Sequence, residues 1–110
     1  MRAYELMVIV DSEVDDAGVT AINNRIGELV SADGGTVAST DLWGKRRFAY
    51  PIRHKLEGIY VVHEIATPAS NLDETDRFLR LADDVVRHKI VRLPDHEAAR
   101  RGLLDQPAAG

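Results

Sequence analysis

Two segments of the chain combine the alternation of a β-strand with enough apolar residues to be buried on both faces. The stretch "AYELMVIV" (residues 3–10) alternates its larger apolar side chains and becomes apolar on both sides toward its end. The stretch "IYVVHEIA" (residues 59–66) is short and rich in β-branched residues. Strands of this composition are typical of the centre of a sheet. The pattern therefore predicts two central strands.

Apolar residues recur at helical spacing in two other segments, which predicts two amphipathic helices. The first helix is expected to begin near Ser12, which forms a capping box with Asp15, and to end at Gly34-Gly35. Caps at Ser70 or Asn71 are expected to start the second helix. The apolar faces consist of Val19, Ile22, Ile26, Leu29 and Val30 in the first helix, and Leu72, Phe78, Leu79, Leu81, Ala82 and Val85 in the second.

Two further segments are predicted to be strands at the edges of the sheet. Residues 36–52 are extended, with a bulge expected at Gly44. Pro51 lacks a backbone N–H and therefore indicates an edge strand. "RHKLEG" (residues 53–58) is expected to form the hairpin connection, with Gly58 supplying the permissive backbone. "VVRHKIVRL" (residues 85–93) supplies the fourth strand.

The resulting order, β-α-β-β-α-β, is that of the ferredoxin-like split βαβ sandwich. It is an α+β fold in which two right-handed crossovers place both helices on one face of a four-stranded antiparallel sheet of order 4-1-3-2. We expect residues 1–94 to form this domain. Residues 95–110, "DHEAARRGLLDQPAAG", are small and polar and predict a mobile C-terminal tail, with a short helix at 95–104 as an alternative.

Composition narrows the classes of protein to which the chain could belong. The 110 residues suffice for one domain with its own core, and the absence of cysteine excludes disulfides and thiolate metal sites. Glu5 and Asp11 interrupt the apolar N-terminal segment, so we expect neither a signal peptide nor a membrane span. The chain is acidic, with 18 Asp and Glu against 14 Lys and Arg. This balance by itself argues against a general nucleic-acid binder.

The titratable residues do not form a recognisable catalytic, cofactor or metal motif. The four histidines, His54, His63, His88 and His96, are not spaced as metal ligands on a helix. His63 shares the strand face of Val61 and Ile65 and is expected at the edge of the core with one nitrogen hydrogen-bonded. The sequence therefore predicts no catalytic residue, no cofactor and no metal.

The basic residues are concentrated in one short stretch. "GKRRFAYPIRHK" (residues 44–55) holds five of the fourteen Lys and Arg residues and no acidic residue. Cations on an edge strand protect a sheet from aggregation, which accounts for one or two of them. Five in twelve residues favour a focused phosphate-binding patch. A second basic set, Arg87, Lys89 and Arg92, lies on the other predicted edge, and Arg2 begins the first strand. The aromatic residues Phe48, Tyr50 and Tyr60 are interleaved with the cations, although core packing is the simpler interpretation of Phe48.

Three stretches carry a resemblance to a known family. "LWGKRRFAYPIRHKLEGIYV" (residues 42–61) resembles the signature of the sixth protein of the bacterial small ribosomal subunit. The opening "MRAYELMVIV" and the strand "DDVVRHKIVRL" resemble the same family. The resemblance spans about residues 1–93 and reproduces the predicted order of elements. The segment after Pro94 lies outside it.

The resemblance implies a structural, non-enzymatic protein of the cytoplasmic ribosome. Such proteins bind small-subunit ribosomal RNA in the platform together with a basic partner, small-subunit ribosomal protein eighteen. An acidic body that receives a basic partner while its positive edges meet RNA would explain the charge distribution. The positions that match and are expected to contact RNA are Arg2, Lys45, Arg46, Arg47, Arg53 and Lys55, followed by Arg87, Lys89 and Arg92.

Two alternatives use the same fold. A dimeric-barrel enzyme would need an apolar pocket with convergent polar groups near His63. A stand-alone RNA-recognition module would need several aromatic side chains on the open sheet face, where the sequence places Tyr60 beside Val62 and Glu64.

Overall fold

The computed structural model describes residues 1–104 and has the predicted architecture. Four strands form one antiparallel sheet of order β2-β3-β1-β4, which is the predicted order 4-1-3-2 in the opposite direction. Two long helices pack on one face of the sheet, and a third, short helix follows the last strand. The elements are β1 (Arg2–Asp11), α1 (Asp16–Ala32), β2 (Thr36–Ile52), β3 (Lys55–Thr67), α2 (Asp73–Leu81), β4 (Val85–Leu93) and α3 (Asp95–Arg100).

The core lies between the sheet and helices α1 and α2. Because neighbouring side chains of a strand point to opposite faces, the even-numbered residues of β1 point to the helices. Leu6 and Val8 are opposite His63 and Val61 of β3 in the register, and all four are buried. Ile26 of α1 and Leu79 of α2 are buried in the same core. The other face of the sheet, here called the open face, carries no long helix.

Helix α1 begins and ends through backbone and side-chain hydrogen bonds. Its N-cap is Asp15, whose carboxylate accepts a 2.8 Å hydrogen bond from the Gly18 amide. The predicted start at Ser12 was therefore wrong, because Asp15 occupies the cap position itself. At the other end the Gly35 amide donates to the Val30 carbonyl, which confirms the predicted glycine stop.

Helix α2 is shorter than the apolar pattern predicted. It begins at Asp73, whose amide donates to the Asn71 side chain at 3.1 Å, and it ends at Leu81. Ala82 has extended backbone dihedrals, and Val85 already belongs to β4. The apolar run therefore crosses a helix end, since Val85 packs into the core from a strand.

Strand β2 is an edge strand, which confirms the prediction based on Pro51. Regular pairing with β3 ends at Arg47 and resumes at Ile52, so Pro51 lies where no ladder hydrogen bond needs its missing N–H. The register also shifts between Leu42 and Gly44. Gly44 has φ +88°, a conformation that side chains disfavour, which confirms the predicted bulge.

The hairpin between β2 and β3 is tighter than expected. Arg53 and His54 form a two-residue turn, and both have positive φ, as a type I′ turn requires. Gly58 lies inside β3 rather than in the turn, so the role assigned to it from the sequence was wrong. A Cβ atom at Gly58 would lie 2.5 Å from Cγ2 of Ile9 and 2.9 Å from Cζ of Phe48. The glycine therefore lets the Phe48 ring lie directly on the strand.

The segment after Pro94 packs more closely than its composition suggested. Helix α3 follows β4, and Ala98 and Leu103 are buried together with Ala3 and Leu93 on the open face. The helix itself matches the alternative prediction for residues 95–104. The mobility of residues 95–110 in solution stays a prediction, and residues 105–110 lie outside the described part of the chain.

Gly58 and Gly27 provide a matched test of the close packing of Ile9 and Phe48 against strand β3. We expect Gly58→Ala to destabilise the protein by about 1–3 kcal/mol, because its methyl group would overlap Ile9 and Phe48. Gly27→Ala, in helix α1 with open space around it, should stabilise by about 1 kcal/mol through helix propensity. Urea unfolding of both variants measures the difference. Equal effects at the two positions would contradict the close packing at Gly58.

Candidate nucleic-acid interface

The open face carries a groove at the end of the sheet where the β2–β3 hairpin projects. Its cavity volume is about 560 Å³. Met7 and Ile9 of β1 and Tyr60 of β3 lie on the central strands, and Phe48 and Tyr50 come from β2. Arg87 and Lys89 of β4 line the same groove. We call this feature the open-face groove.

Aromatic side chains surround Tyr60 in and beside the open-face groove. The ring of Trp43 stacks on Tyr60, with centroids 6.4 Å apart and planes inclined by 6°. Phe48 meets Tyr60 edge-on at 6.2 Å. Phe48 is therefore partly exposed on the open face and does not belong to the main core, contrary to the simpler sequence interpretation. The guanidinium of Arg46 lies 5.8 Å from the centre of the Trp43 ring, within range of a cation–π interaction.

Cations from opposite sheet edges meet at the groove. Arg47 is on β2 and Arg87 and Lys89 are on β4, yet all three line the same cavity. Within residues 1–104 none of these three side chains has an ion-pair partner. The sequence predicted two separate basic edges. The structure joins them, because the hairpin carries β2 beyond the end of β1 toward β4.

Arg53 extends this positive surface at the hairpin tip. It lines a second, smaller cavity together with Ile52, Arg87 and His88. Its positive φ holds the tip of the hairpin in a tight turn. The hairpin thus brings two of the predicted residues, Arg47 and Arg53, close to the predicted residues of β4.

The remaining predicted residues lie elsewhere. Lys45 faces helix α1, in a cavity that it lines with Asp16 and Asn23, while Arg46 lies on the opposite side of the strand. Arg47 was expected to share the face of Lys45 but lines the open-face groove, since regular pairing ends at this residue. The other two lie near the far end of the sheet, where Arg2 is within 3.5 Å of the Pro68 carbonyl and Arg92 is opposite Tyr4.

Lys55 is engaged within the protein. Its ammonium lies 3.0 Å from the carboxylate of Asp11. The pKa of Asp11 is lowered, first by the hydrogen bond from the Glu13 amide and then by Lys55. The pair joins the hairpin to the end of β1. Of the nine predicted residues, Lys55 therefore has the clearest internal role.

Sequence reasoning missed Trp43, Met7 and Ile9 as parts of the surface. Met7 and Ile9 lie on the odd-numbered side of β1, which the apolar pattern could assign only to the interior of a sheet. Trp43 occupies the bulge position before Gly44, where strand alternation does not predict which face a side chain takes. The bulge predicted at Gly44 was the sequence signal that could have drawn attention to Trp43.

The structure confirms one hydrogen-bonded nitrogen for His63, but places the side chain inside the core and not at its edge. It is fully buried on the helix side of the sheet, and its Nδ1 lies 3.0 Å from the Thr40 hydroxyl. Burial lowers its pKa from 6.5 to about 4. The open-face groove is on the other side of the sheet, so it is not the pocket that an enzyme using His63 would need. Among residues 1–104, no three His, Cys, Asp or Glu side chains stand close enough together to hold a metal ion. No helix in that range is both long enough and apolar enough to cross a membrane.

The fold and the groove define a class: a small ferredoxin-like α+β protein that presents a basic, aromatic surface on its open sheet face. Comparison with known proteins identifies the family. Residues 3–92 match the model of the family described as ribosomal protein S6. The chain belongs to the ribosomal protein S6 family.

Individual relatives agree with this assignment. Small ribosomal subunit protein bS6 of Symbiobacterium thermophilum is 45% identical over 92 residues, which cover 84% of this chain and 97% of that protein. The bS6 protein of Acidothermus cellulolyticus is 45% identical over 95 residues, or 86% of this chain and 98% of that protein. The crystal structure of 30S ribosomal protein S6 from Thermotoga maritima superposes with a TM-score of 0.81 at 27% identity, covering 92% of this chain and 95% of the other.

Family membership settles the broad function. The protein is a component of the small ribosomal subunit and belongs to the cytoplasmic ribosome. Because the family consists of structural ribosomal proteins, the enzyme alternative is excluded.

The buried His63 predicts a dependence of stability on pH. The unfolded chain takes up a proton at this residue below about pH 6.5, whereas the folded protein does so only near pH 4. The free energy of unfolding should therefore fall as the pH drops from 6.5 to 4, by up to about 3 kcal/mol from this residue. His63→Gln should flatten the curve in this window, as measured by urea unfolding at each pH. The control is His96→Ala, which removes an exposed histidine, and a curve unchanged by His63→Gln would contradict the assignment.

Proposed function

We propose that this protein is a structural constituent of the small ribosomal subunit that binds small-subunit ribosomal RNA in the platform, jointly with small-subunit ribosomal protein eighteen. The observation that carries the proposal is the convergence of Arg47, Arg87 and Lys89 on one groove, without ion-pair partners among residues 1–104. Unpaired cations are the groups that neutralise phosphates in nucleic-acid complexes.

The acidity of the rest of the chain supports a specific orientation on RNA. The net charge is −4, so most of the surface repels a polyanion. Charges on exposed surfaces act over about 8 Å at physiological salt. Only an approach that brings RNA to the open-face groove and the hairpin is therefore favourable.

The nine candidate RNA contacts differ in the support that each one has. Arg47, Arg87 and Lys89 in the groove and Arg53 at the hairpin tip form the primary set, and Arg46 adds a cation held against Trp43. Arg2 and Arg92 at the far end, and Lys45 on the helix side, belong to a second set. Lys55 contributes mainly through its ion pair with Asp11.

The aromatic residues suit contact with RNA beyond its phosphates. Tyr60 and Phe48 line the groove beside the cations, and Tyr50 is 65% exposed. Exposed aromatic rings near cations stack on unpaired bases of RNA. A basic partner fits the same molecule, because the excess of carboxylates leaves acidic surface outside the groove. Steering between opposite charges would favour such an encounter.

The test is a triple variant, Arg47→Ala, Arg87→Ala and Lys89→Ala, measured for binding to small-subunit ribosomal RNA with the partner protein present. Affinity should fall, and the slope of log K against log salt should decrease by about 1 for each phosphate that the protein no longer neutralises. The matched control, Arg25→Ala, Arg77→Ala and Arg100→Ala, removes the same charge away from the groove and should change both quantities much less. Circular dichroism checks the fold of both proteins.

If the groove variant folds and its affinity and salt slope equal those of the control, the groove does not contact RNA. The basic hairpin would then serve only to protect the sheet edge from aggregation.

A further inference from the structure

The outer part of the β2–β3 hairpin is attached to the rest of the molecule by few contacts. Pairing of β3 with β1 ends at Gly58, opposite Asp11, so the hairpin projects beyond the end of β1. Within the hairpin, the four residues 48–51 of β2 lie opposite the single residue Leu56 of β3. Residues 49–57, here called the hairpin arm, include no fully buried residue. Neither a regular ladder nor a packed core therefore fixes the direction in which the arm points.

One ion pair holds the hairpin arm against the body of the protein. The ammonium of Lys55 lies 3.0 Å from the carboxylate of Asp11. Among residues 1–104 no other ion pair involves the arm. The hydrogen bond to Asp11 raises the pKa of the Lys55 ammonium, so this cation stays charged at physiological pH. The orientation of the arm therefore depends on this pair.

Asp11 is a rigid anchor for that contact. Its amide donates to the Asp84 carbonyl at 2.8 Å, and its carbonyl accepts from the Val14 amide at 3.0 Å. The carboxylate oxygen that does not face Lys55 accepts from the Glu13 amide at 3.1 Å. The side chain of Asp11 is 20% exposed, against 45% for Lys55. Asp11 is therefore the fixed partner, and Lys55 is the partner that moves with the arm.

The hairpin arm carries Arg53 toward the cations of β4. Arg53 and Ile52 of the arm line a cavity of about 340 Å³ together with Arg87 of β4. Two guanidinium groups repel each other, which favours movement of the arm away from β4. The attraction between Lys55 and Asp11 opposes that repulsion, so it keeps Arg53 and Arg87 on one surface.

We propose that Asp11 is a positioning residue for RNA binding: through its ion pair with Lys55 it holds the hairpin arm in the orientation that keeps Arg53 beside Arg87. The inference rests on the proposed function, because it takes the ligand to be small-subunit ribosomal RNA. It assigns to an acidic residue a favourable effect on the binding of a polyanion. The affinity for RNA scales with the fraction of molecules in which the phosphate-binding surface is already formed.

This role predicts an effect opposite in sign to that of simple electrostatics. If Asp11 were only a surface charge, or if Lys55 contacted a phosphate directly, neutralising Asp11 would strengthen RNA binding, because a repulsive charge disappears and Lys55 is released. If Asp11 positions the arm, neutralising it weakens binding, because the arm is free to turn away from β4. The direction of the change therefore distinguishes the two roles.

The test measures the binding of Asp11→Asn to small-subunit ribosomal RNA with the partner protein present. Asparagine retains an oxygen for the Glu13 amide but lacks the charge that holds Lys55. Affinity should fall about 2- to 5-fold, the range for a partly exposed ion pair. The slope of log K against log salt should change by much less than 1, since no phosphate contact is lost.

The matched control is Glu13→Gln, which removes the same charge two residues away and keeps the backbone amide that Asp11 accepts from. Its affinity for RNA should be unchanged or higher. Lys55→Met completes a double-mutant cycle. It should weaken binding by itself but have little further effect in the Asp11→Asn background, because the two residues act as one unit. A lysine that contacts a phosphate would lose at least as much affinity in both backgrounds.

Backbone ¹⁵N relaxation in the RNA-free protein gives an independent measurement. The order parameters of residues 53–56 should fall in Asp11→Asn and stay unchanged in Glu13→Gln, because only the first variant releases the hairpin arm. If Asp11→Asn binds RNA at least as tightly as the unaltered chain, or if its arm keeps the original order parameters, the inference is overturned.

The groove variant Arg47→Ala, Arg87→Ala and Lys89→Ala is measured alongside. If this variant loses affinity for RNA and Asp11→Asn does not, the inference alone is wrong. If neither loses affinity, the proposed function is wrong as well.

Discussion

The pairing of β1 with β3 is the constraint on which the rest of the structure depends. It runs without interruption from Arg2 opposite Thr67 to Asp11 opposite Gly58. One face of this pair supplies the core beneath α1 and α2, and the other supplies the floor of the open-face groove. Because a shift by one residue would exchange the two faces, burial of the even-numbered side of β1 fixes the register of everything attached to it.

Both surfaces of the open face follow from that register. At one end, Gly58 lets Phe48 lie on the strand, and the projecting hairpin brings Arg47 toward β4. At the other end, the same pairing sets Glu5 beside Glu64 and creates the need for a cation. The sheet therefore presents a positive groove and a negative site on one face.

The buried groups on the helix side have a different role. His63 is held neutral between the sheet and the helices, and its environment serves packing. The Thr40 hydroxyl of the edge strand β2 lies 3.0 Å from one ring nitrogen of His63 and so links β2 to the core. The partly exposed basic and aromatic side chains of the groove are thus on the open face, whereas the main core lies on the opposite face.

The sequence by itself determined the order of elements, the sheet order, the edge position of β2 and the bulge at Gly44. These features depend on local signals: the spacing of apolar residues, the missing N–H of Pro51 and the backbone freedom of glycine. It also located the basic residues, but not which of them converge, since Arg47 and Lys89 are distant along the chain. Only the tertiary structure decided that they share a groove, that Lys55 pairs with Asp11, and that Arg101 bridges Glu5 and Glu64. Those arrangements depend on strand register, sheet twist and the path of the hairpin. These bring together side chains that are distant in the sequence, and no local sequence pattern predicts such contacts.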